Sequence, residues 1–255
     1  MKFFKSIPRN KGTPVDLLGT KKCQGLYLIL GALFWLIALA LWWQQQIDVD
    51  VLFRFNAARV SKTSLIALSQ WLSSYGMAAI TSLVVVYRFV SLKLKTLDAP
   101  FTIYFYTICS FGLSGILGDL LKIVLARSRP IATYGDQILV YSQSTSNAIP
   151  SGHATKSVAL ILPFLLLVSS SKNVHKTFKI IITLITGGVC FSRVVLGAHY
   201  FSDVLAGIGT ALIGLPLSML FANMVLRKAK QEQLFHLSII WTILLIVLTA
   251  IFMVL

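Results

Sequence analysis

The chain has 255 residues, of which 56% are hydrophobic and only 12% are charged. A soluble domain carries about 25% charged residues, and a core of this size cannot enclose so many apolar side chains. The composition therefore excludes a soluble enzyme, a disordered chain and a disulfide scaffold, and it indicates an integral membrane protein. The 23 basic residues outnumber the 8 acidic ones. Because they lie between apolar runs and not in one patch, they indicate membrane topology and no nucleic-acid partner.

Seven apolar runs approach the 20 or so residues that a helix needs to cross a bilayer. They predict an all-α polytopic membrane bundle, with a six-span core and a seventh, accessory C-terminal span. For the last run, a helix lying on the membrane surface is the alternative. The segment Leu52–Tyr75 mixes three cations with Leu and Trp, which predicts an interfacial helix and not a span. The predicted spans are Gly25–Trp43, Gly76–Leu92, Phe101–Leu125, Ala154–Ser170, Ile180–Gly197, Val204–Leu226 and Leu237–Leu255.

The basic residues predict how the chain is oriented. With the N-terminus in the cytoplasm and alternating spans, the cytoplasmic side holds fifteen of the 23 basic residues, as the positive-inside rule requires. The first apolar run is too long for a signal peptide, so we expect an uncleaved first span. The organisation is then a cytoplasmic basic N-terminus (1–24), a membrane-embedded core (25–226), a cytoplasmic basic loop (227–236) and an accessory transmembrane helix (237–255).

Three polar clusters lie at the opposite, outer face, and the first surrounds the end of the third span. Lys122 and Arg129 are seven residues apart, two helical turns, so both can face one direction while the helix lasts. Pro130 favours an extended Arg129 and helps to end the helix there. Arg127 alone is equally consistent with a cation that snorkels to the interface. Three cations this close repel one another, so an anionic ligand accounts for them better.

The second cluster, Pro150-Ser151-Gly152-His153, directly precedes the fourth span. Ser151 can cap the helix, and Gly152 permits close approach of the backbone to a ligand. Free N–H groups and the helix dipole favour an anion there, and His153 would lie beside it on the first turn. Taken alone, the pattern is also typical of a simple capped helix start.

The third cluster spans the junction between the fifth and sixth spans, with Ser192-Arg193 followed by His199 and Asp203. His199 and Asp203 are four residues apart, so on a helix they are stacked neighbours. An Asp carboxylate that accepts the Nδ1–H would leave Nε2 free as a nucleophile. A structural His–Asp pair at a helix start is the alternative.

In this order, the segments KIVLARSRP, PSGH and SRVVLGAHYFSD resemble the three-part signature of the type-2 phosphatidic acid phosphatase family. The surrounding helix pattern is similar to the family's six-span core, whereas the first 100 residues resemble the family only in hydropathy. The resemblance implies that His199 attacks phosphorus to form a phosphohistidine, that Asp203 orients it, and that His153 is general acid and then general base. It also implies that the phosphate is bound by Lys122, Arg129, Ser151, Gly152 and Arg193.

The same resemblance implies hydrolysis of a lipid phosphate or diphosphate at the outer leaflet of a bacterial inner membrane, facing the periplasm. Undecaprenyl diphosphate, phosphatidylglycerophosphate, phosphatidic acid and lipid A phosphates are all candidates. A lipid-to-lipid phosphotransferase with the same site is the alternative. An anion transporter would distribute its charges through the spans at mid-depth, whereas these gather at one end. We expect no obligate protein partner.

We expect no cofactor and no metal, because Mg²⁺ sites need carboxylates and the clustered cations make a metal redundant. Asp119 lies one turn before Lys122 and is expected to pair with it. Lys156 lies one turn beyond His153. It is equally consistent with contact to a second phosphate or acidic head group and with snorkelling.

Overall fold

The protein is described by a computed structural model over residues 21–56, 63–93, 102–141, 145–168, 173–226 and 231–254. Across these ranges the chain is helical and contains no strand, which confirms the all-α prediction. The α-helices within them are α1 (Lys21–Gln44), α2 (Gln46–Phe55), α3 (Thr63–Lys93), α4 (Ile103–Leu125), α5 (Pro130–Tyr134), α6 (Gly152–Leu167), α7 (Asn173–Val195), α8 (Phe201–Leu226) and α9 (Gln231–Val254).

The bundle has the surface of a membrane protein. In the described part of the chain, α1, α4, α7 and α8 are long and apolar enough to cross a bilayer. The helix α6 is apolar but has only 16 residues, which is about 24 Å at 1.5 Å per residue. Large apolar side chains such as Ile29, Ile123 and Ile243 are exposed, as expected of helix faces that meet lipid. A multi-pass membrane bundle is therefore confirmed, and the number of seven spans stays a prediction.

Small residues let α8 pack closely against its neighbours α1, α4 and α6. A Cβ atom on Gly209 would lie 2.8 Å from the backbone oxygen of Gly31 in α1, so the two backbones are in contact there. A Cβ atom on Gly207 would lie 2.8 Å from the backbone oxygen of Ser151. Glycines at such crossings allow helices to approach more closely than larger side chains would. The start of α8 is thereby held against the start of α6.

The interfacial helix predicted at Leu52–Tyr75 is wrong. The helix α2 ends at Phe55, where Asn56 leaves the helical conformation. The second half of the predicted interfacial segment belongs instead to α3, a helix of 31 residues that packs along α7. Ser69 of α3 is buried, so part of the polarity that suggested an interfacial helix is directed into the bundle and not toward the head groups.

The C-terminal run predicted as an accessory helix is α9, which packs against α3 and α4. The Oγ1 atoms of Thr249 and Thr81 are 3.0 Å apart. The rings of Trp241 and Phe105 have centroids 4.8 Å apart. These contacts join α9 to the side of the bundle.

The helix ends that carry the three sequence clusters meet at one end of the bundle. The N–H of Ser151, at the start of α6, donates to the backbone oxygen of Asp203 in α8 at 2.9 Å. The N–H of Ala148 donates to the backbone oxygen of Arg127, just after α4, at 2.8 Å. At the same end, α2 packs against α1, α7 and α8. Backbone hydrogen bonds therefore fix the three clusters relative to one another.

Candidate active site

The first cluster is shaped by a sharp turn after α4. The helix ends at Leu125 because Ala126 adopts the left-handed conformation, with φ 46° and ψ 32°. Arg129 is extended, with φ −73° and ψ 157°, and Pro130 is the first residue of α5. The extended Arg129 is confirmed. The helix ends too early for Lys122 and Arg129 to share a helical face, and the turn at Ala126 brings Arg129 into the site by another route.

Arg129 joins the first cluster to the third through its guanidinium. Its Nε donates to the backbone oxygen of Ser146 at 2.7 Å, and Nη2 donates to the Oγ of Ser146 at 3.0 Å. Its Nη1 donates to the backbone oxygen of Ala198 at 3.1 Å and lies 3.5 Å from Nε2 of His199. The planar fork of Arg suits such fixed multiple bonding. Arg129 is thus held rigidly beside the imidazole of His199.

Asp203 is the third residue of α8, and His199 lies in the turn just before that helix. The Oδ2 of Asp203 accepts the N–H of Tyr200 at 2.9 Å, as an acidic residue often does in the first turn of a helix. The same oxygen lies 3.4 Å from Nδ1 of His199. Nδ1 makes no hydrogen bond within the described ranges, and catalytic hydrogen bonds are often this long before substrate binds. His199 and Asp203 are therefore neighbours, although His199 is not on the helix.

The surroundings of His199 favour a neutral imidazole. Burial, followed by the positive charges of Arg129, Arg193 and Lys122, holds the pKa of His199 well below its usual range. A guanidinium can only donate hydrogen bonds, so the Nε2 that faces Arg129 is assigned as the nitrogen with the free lone pair. Neutral His199 then carries its proton on Nδ1, next to Asp203.

The second cluster contributes a hydroxyl, a helix start and an imidazole. Ser151 is fully buried at the N-cap of α6, and within the described part of the chain its Oγ has no hydrogen-bond partner. Gly152 is the first residue of α6, and a Cβ atom there would lie 3.4 Å from Nζ of Lys122. His153 follows on the first turn and is partly exposed. The predicted capping bond from the Ser151 side chain is not formed, so this hydroxyl is available to a ligand.

Lys122, Arg193 and the two imidazoles lie within electrostatic range of one another. The charges of Lys122 and Arg193 act on both His153 and His199, and the charge of His199 also acts on His153. Arg193 is 2% exposed and donates from Nη1 to the Oγ of Ser73 in α3. Its Nε has no partner among the described residues. All three clusters therefore contribute to a single site.

Arg127 lies neither at the membrane interface, as a snorkelling cation would, nor in the position of a ligand contact. It is buried and does not snorkel. Its Nη1 donates to Oδ1 of Asp203 at 2.7 Å, and its Nη2 donates to Oδ2 of Asp48 at 2.8 Å. The ring of Tyr200 lies 4.0 Å from its guanidinium carbon. These partners are all internal, so the geometry assigns Arg127 to the support of Asp203 and not to the predicted substrate contact.

Lys156 forms the pair with Asp119 that was expected for Lys122. Its Nζ lies 3.7 Å from Oδ2 of Asp119, whose side chain is 59% exposed. The side chain of Lys156 crosses α4 at Gly115, where a Cβ atom would lie 2.9 Å from Cε of Lys156. The charge of Lys156 also acts on His153. Lys156 therefore lies at the edge of the site, on the same helix as His153.

Residues outside the predicted set also hold the site, among them one acidic residue and one serine from the first half of the chain. Asp48, on α2, is 1% exposed and bonds Arg127, and Ser73, on α3, bonds Arg193. A sequence signal existed for Asp48, because it is one of only 8 acidic residues. Ser73 carried none, since serines are common in the spans.

No group of three His, Cys, Asp or Glu residues that could hold a metal occurs in the described ranges, and metal independence stays a prediction.

Cations, a buried hydroxyl and two imidazoles lie together at one end of a bundle of apolar helices. This combination is typical of a membrane-embedded phosphatase. The PAP2 superfamily model matches residues 103–230. The chain belongs to the PAP2 superfamily and is a phosphatase. The matched half of the chain includes all three sequence clusters.

Two individual proteins are similar to this chain. A Sulfolobus acidocaldarius protein named undecaprenyl-diphosphatase is 26% identical over 165 residues, which is 63% of this chain and 70% of the relative. The crystal structure of a transmembrane PAP2 type phosphatidylglycerolphosphate phosphatase from Bacillus subtilis matches with a TM-score of 0.52 and 22% identity. That match covers 85% of this chain and 98% of the other, and it shows that the two share a fold.

Proposed function

We propose that the protein hydrolyses a lipid phosphate or diphosphate monoester through a phosphohistidine intermediate, without a metal ion. The observation that carries the proposal is the placement of His199, whose Nε2 lies 3.5 Å from Nη1 of Arg129 and whose pKa is lowered by burial and by the surrounding cations. A neutral imidazole is nucleophilic, and the cations would attract the phosphate that it attacks.

In the first step, the lone pair on Nε2 of His199 forms a bond to phosphorus while the bond from phosphorus to the leaving oxygen breaks. The negative charge of the bound phosphate favours the protonated form of His153, which donates a proton to that oxygen as general acid. Asp203, 3.4 Å from Nδ1, stabilises the positive charge that develops on the ring, as the aspartate of a catalytic triad does. In the second step, His153 takes a proton from water, whose oxygen bonds phosphorus while the N–P bond breaks, and phosphate is released.

The non-bridging phosphate oxygens would be held by Lys122, Arg129 and Arg193, by the Oγ of Ser151 and by the N–H of Gly152. The first residues of α6 offer N–H groups that lack intrahelical acceptors, and such helix starts bind phosphate. The Oγ of Ser151 and the Nε of Arg193 are both buried without partners in the described part of the chain. An arriving anion would satisfy these donors, and fixed donors of this kind stabilise the charge of phosphoryl transfer.

A lipid substrate suits the position of the site at one end of a membrane bundle. The tails could remain in hydrocarbon while the phosphate meets the cations. We place the site at the extracytoplasmic leaflet of the cell membrane, with the N-terminus in the cytoplasm, because of the distribution of basic residues. The names of the two similar proteins fit a prenyl diphosphate or a phosphatidylglycerophosphate as substrate.

The test is phosphate release from a panel of lipid phosphates and diphosphates in EDTA, with wild type and His199→Ala compared. We expect the wild type to release phosphate from at least one lipid without an acceptor lipid, and His199→Ala to release none while still folding. Activity that requires an added acceptor lipid would identify a phosphotransferase. Activity lost in EDTA and restored by a divalent cation would refute the metal-independent reaction.

A further inference from the structure

Asp48 is a buried carboxylate that lies outside all three sequence clusters. It is on α2, the short helix that follows α1, and is 1% exposed. A buried charge is tolerated only where it is paired and hydrogen-bonded. The partners of Asp48 therefore indicate what the folded protein uses it for.

All the described partners of Asp48 belong to the region of the nucleophile. Its Oδ1 accepts the N–H of Ser202 in the first turn of α8 at 2.9 Å. Its Oδ2 accepts the hydroxyl of Ser202 and, at 2.8 Å, Nη2 of Arg127. A carboxylate at a helix N-terminus satisfies an N–H group that has no intrahelical acceptor, and it interacts favourably with the helix dipole. Asp48 thus ties α2 to the turn that carries His199.

These contacts continue through Asp203 to the neighbourhood of the imidazole. Arg127 bonds Asp48 through Nη2 and bonds Oδ1 of Asp203 through Nη1 at 2.7 Å. The other oxygen of Asp203 lies 3.4 Å from Nδ1 of His199. The order is carboxylate, guanidinium, carboxylate, imidazole, and the exposed fractions of the four side chains range from 0% to 8%. In so little solvent, removal of one charge is felt by its neighbours.

The shared guanidinium determines how strongly Asp203 can act on His199. Arg127 bonds both carboxylates, and the negative charge of Asp48 offsets part of the positive charge that Arg127 exerts on Asp203. Without Asp48, the whole charge would act on Asp203 and weaken its support of an imidazolium. Three cations of the other packed elements act on His199: Lys122 on α4, Arg129 before α5 and Arg193 on α7. The titratable His153 on α6 is itself affected by His199.

We propose that Asp48 is a positioning residue of this phosphatase, which holds Arg127 and Ser202 so that Asp203 can support His199 during phosphoryl transfer. The inference rests on the proposed role of His199 as nucleophile. It adds a part of the chain before the region that the family model matches, since that match begins at residue 103. The helix α2 then belongs to the catalytic apparatus through a carboxylate that never touches substrate.

The test compares Asp48→Asn with Asp50→Asn. Asp50 is on the same helix but exposed, so it controls for loss of one negative charge from α2. For the full-length protein in detergent, kcat, KM and the pH profile of kcat/KM are measured with one substrate from the panel. Yield and monodispersity report folding separately.

We expect Asp48→Asn to lower kcat by about tenfold or more, the effect of losing roughly one pKa unit of electrostatic support, with little change in KM. Loss of a negative charge disfavours the imidazolium, so the acid limb of the profile should move to lower pH by roughly one unit. Arg127→Gln removes a positive charge and should move the limb to higher pH. The double variant should have a limb close to that of the wild type, and Asp50→Asn should match the wild type throughout.

Wild-type kcat and pH profile in Asp48→Asn would overturn the inference. A lower yield of Asp48→Asn would also overturn it if the folded fraction kept the wild-type kcat and acid limb, because Asp48 would then serve folding alone. If Asp48→Asn does not fold, the double variant replaces it, and an acid limb in the double variant at the same pH as in Arg127→Gln alone would overturn the inference. Continued turnover in His199→Ala would instead refute the proposed function, so the two failures are distinguishable.

Discussion

Replacement of Ser151 by Ala should change two quantities in opposite directions: the stability of the resting protein should rise, and binding of the transition state should weaken. The Oγ of Ser151 is fully buried and has no partner in the described part of the chain, so Ser151→Ala removes no hydrogen bond from the resting protein. Relief of the unpaired buried hydroxyl should raise the free energy of unfolding by about 1 kcal/mol. A hydrogen bond to a charged phosphoryl oxygen contributes about 1.5–3 kcal/mol. Its loss should therefore lower kcat/KM by about 10- to 150-fold.

Ser110→Ala is the matched control for this experiment. The Oγ of Ser110 is also buried without a described partner, but Ser110 lies twelve residues before Lys122 on α4, about 18 Å along the helix. Thermal unfolding in detergent and phosphate release are measured for both variants. We expect a similar gain in stability in both and a loss of activity in Ser151→Ala alone. Full activity in Ser151→Ala, or an equal loss in both variants, would refute the assigned phosphate contact.

Four further predictions concern charge. Because the pKa of His199 is lowered, its neutral form persists below pH 6.5. The rise of kcat/KM with pH should therefore occur at lower pH than for an ordinary histidine. A rise of kcat/KM centred at or above pH 6.5 would contradict this. For the same reason the folded protein binds fewer protons than the unfolded chain, so its stability should fall as the pH decreases below about 6.5, and less steeply in His199→Gln. Lys156→Met should lower kcat/KM more for a lipid diphosphate than for the matching monophosphate. Asp119→Asn serves as the control. An equal loss of kcat/KM for both substrates would refute contact of Lys156 with a second phosphate. Arg127→Met leaves the carboxylates of Asp48 and Asp203 without their cation and should reduce the free energy of unfolding by about 3–5 kcal/mol, measured by thermal or denaturant unfolding, whereas a change under 1 kcal/mol would contradict the buried network.

Much of the bundle could be predicted from hydropathy, because a spanning helix must satisfy its own backbone and face lipid with apolar side chains. The helices α1, α4 and α8 begin and end within about four residues of the predicted spans. The convergence of the polar clusters was predictable for a related reason. Cations and imidazoles are unfavourable near hydrocarbon, and they are retained there where they have a ligand or a partner.

The errors arose where tertiary contacts decide the local structure. The polar residues between Leu52 and Tyr75 suggested the membrane surface, but Ser73 bonds Arg193 of α7 from within α3. Arg127 resembled a phosphate ligand in the sequence, yet its partner Asp48 is 79 residues earlier in the chain. Asp48 also reaches Ser202, which is 154 residues away. Periodicity and spacing carry no information about pairs so distant, so the support of Asp203 became visible only in the folded chain.

The most direct test of the account is to trap the covalent intermediate. Protein is mixed with a substrate labelled at the transferred phosphate, quenched in alkali and separated from lipid, because phosphohistidine survives alkali and is lost in acid. His153→Ala is included, since loss of the general base should slow hydrolysis of the intermediate and let it accumulate. We predict alkali-stable, acid-labile label on wild type and more of it on His153→Ala, located at His199, and none on His199→Ala. Label on His199→Ala, or complete turnover by wild type without any labelled protein, would contradict the account.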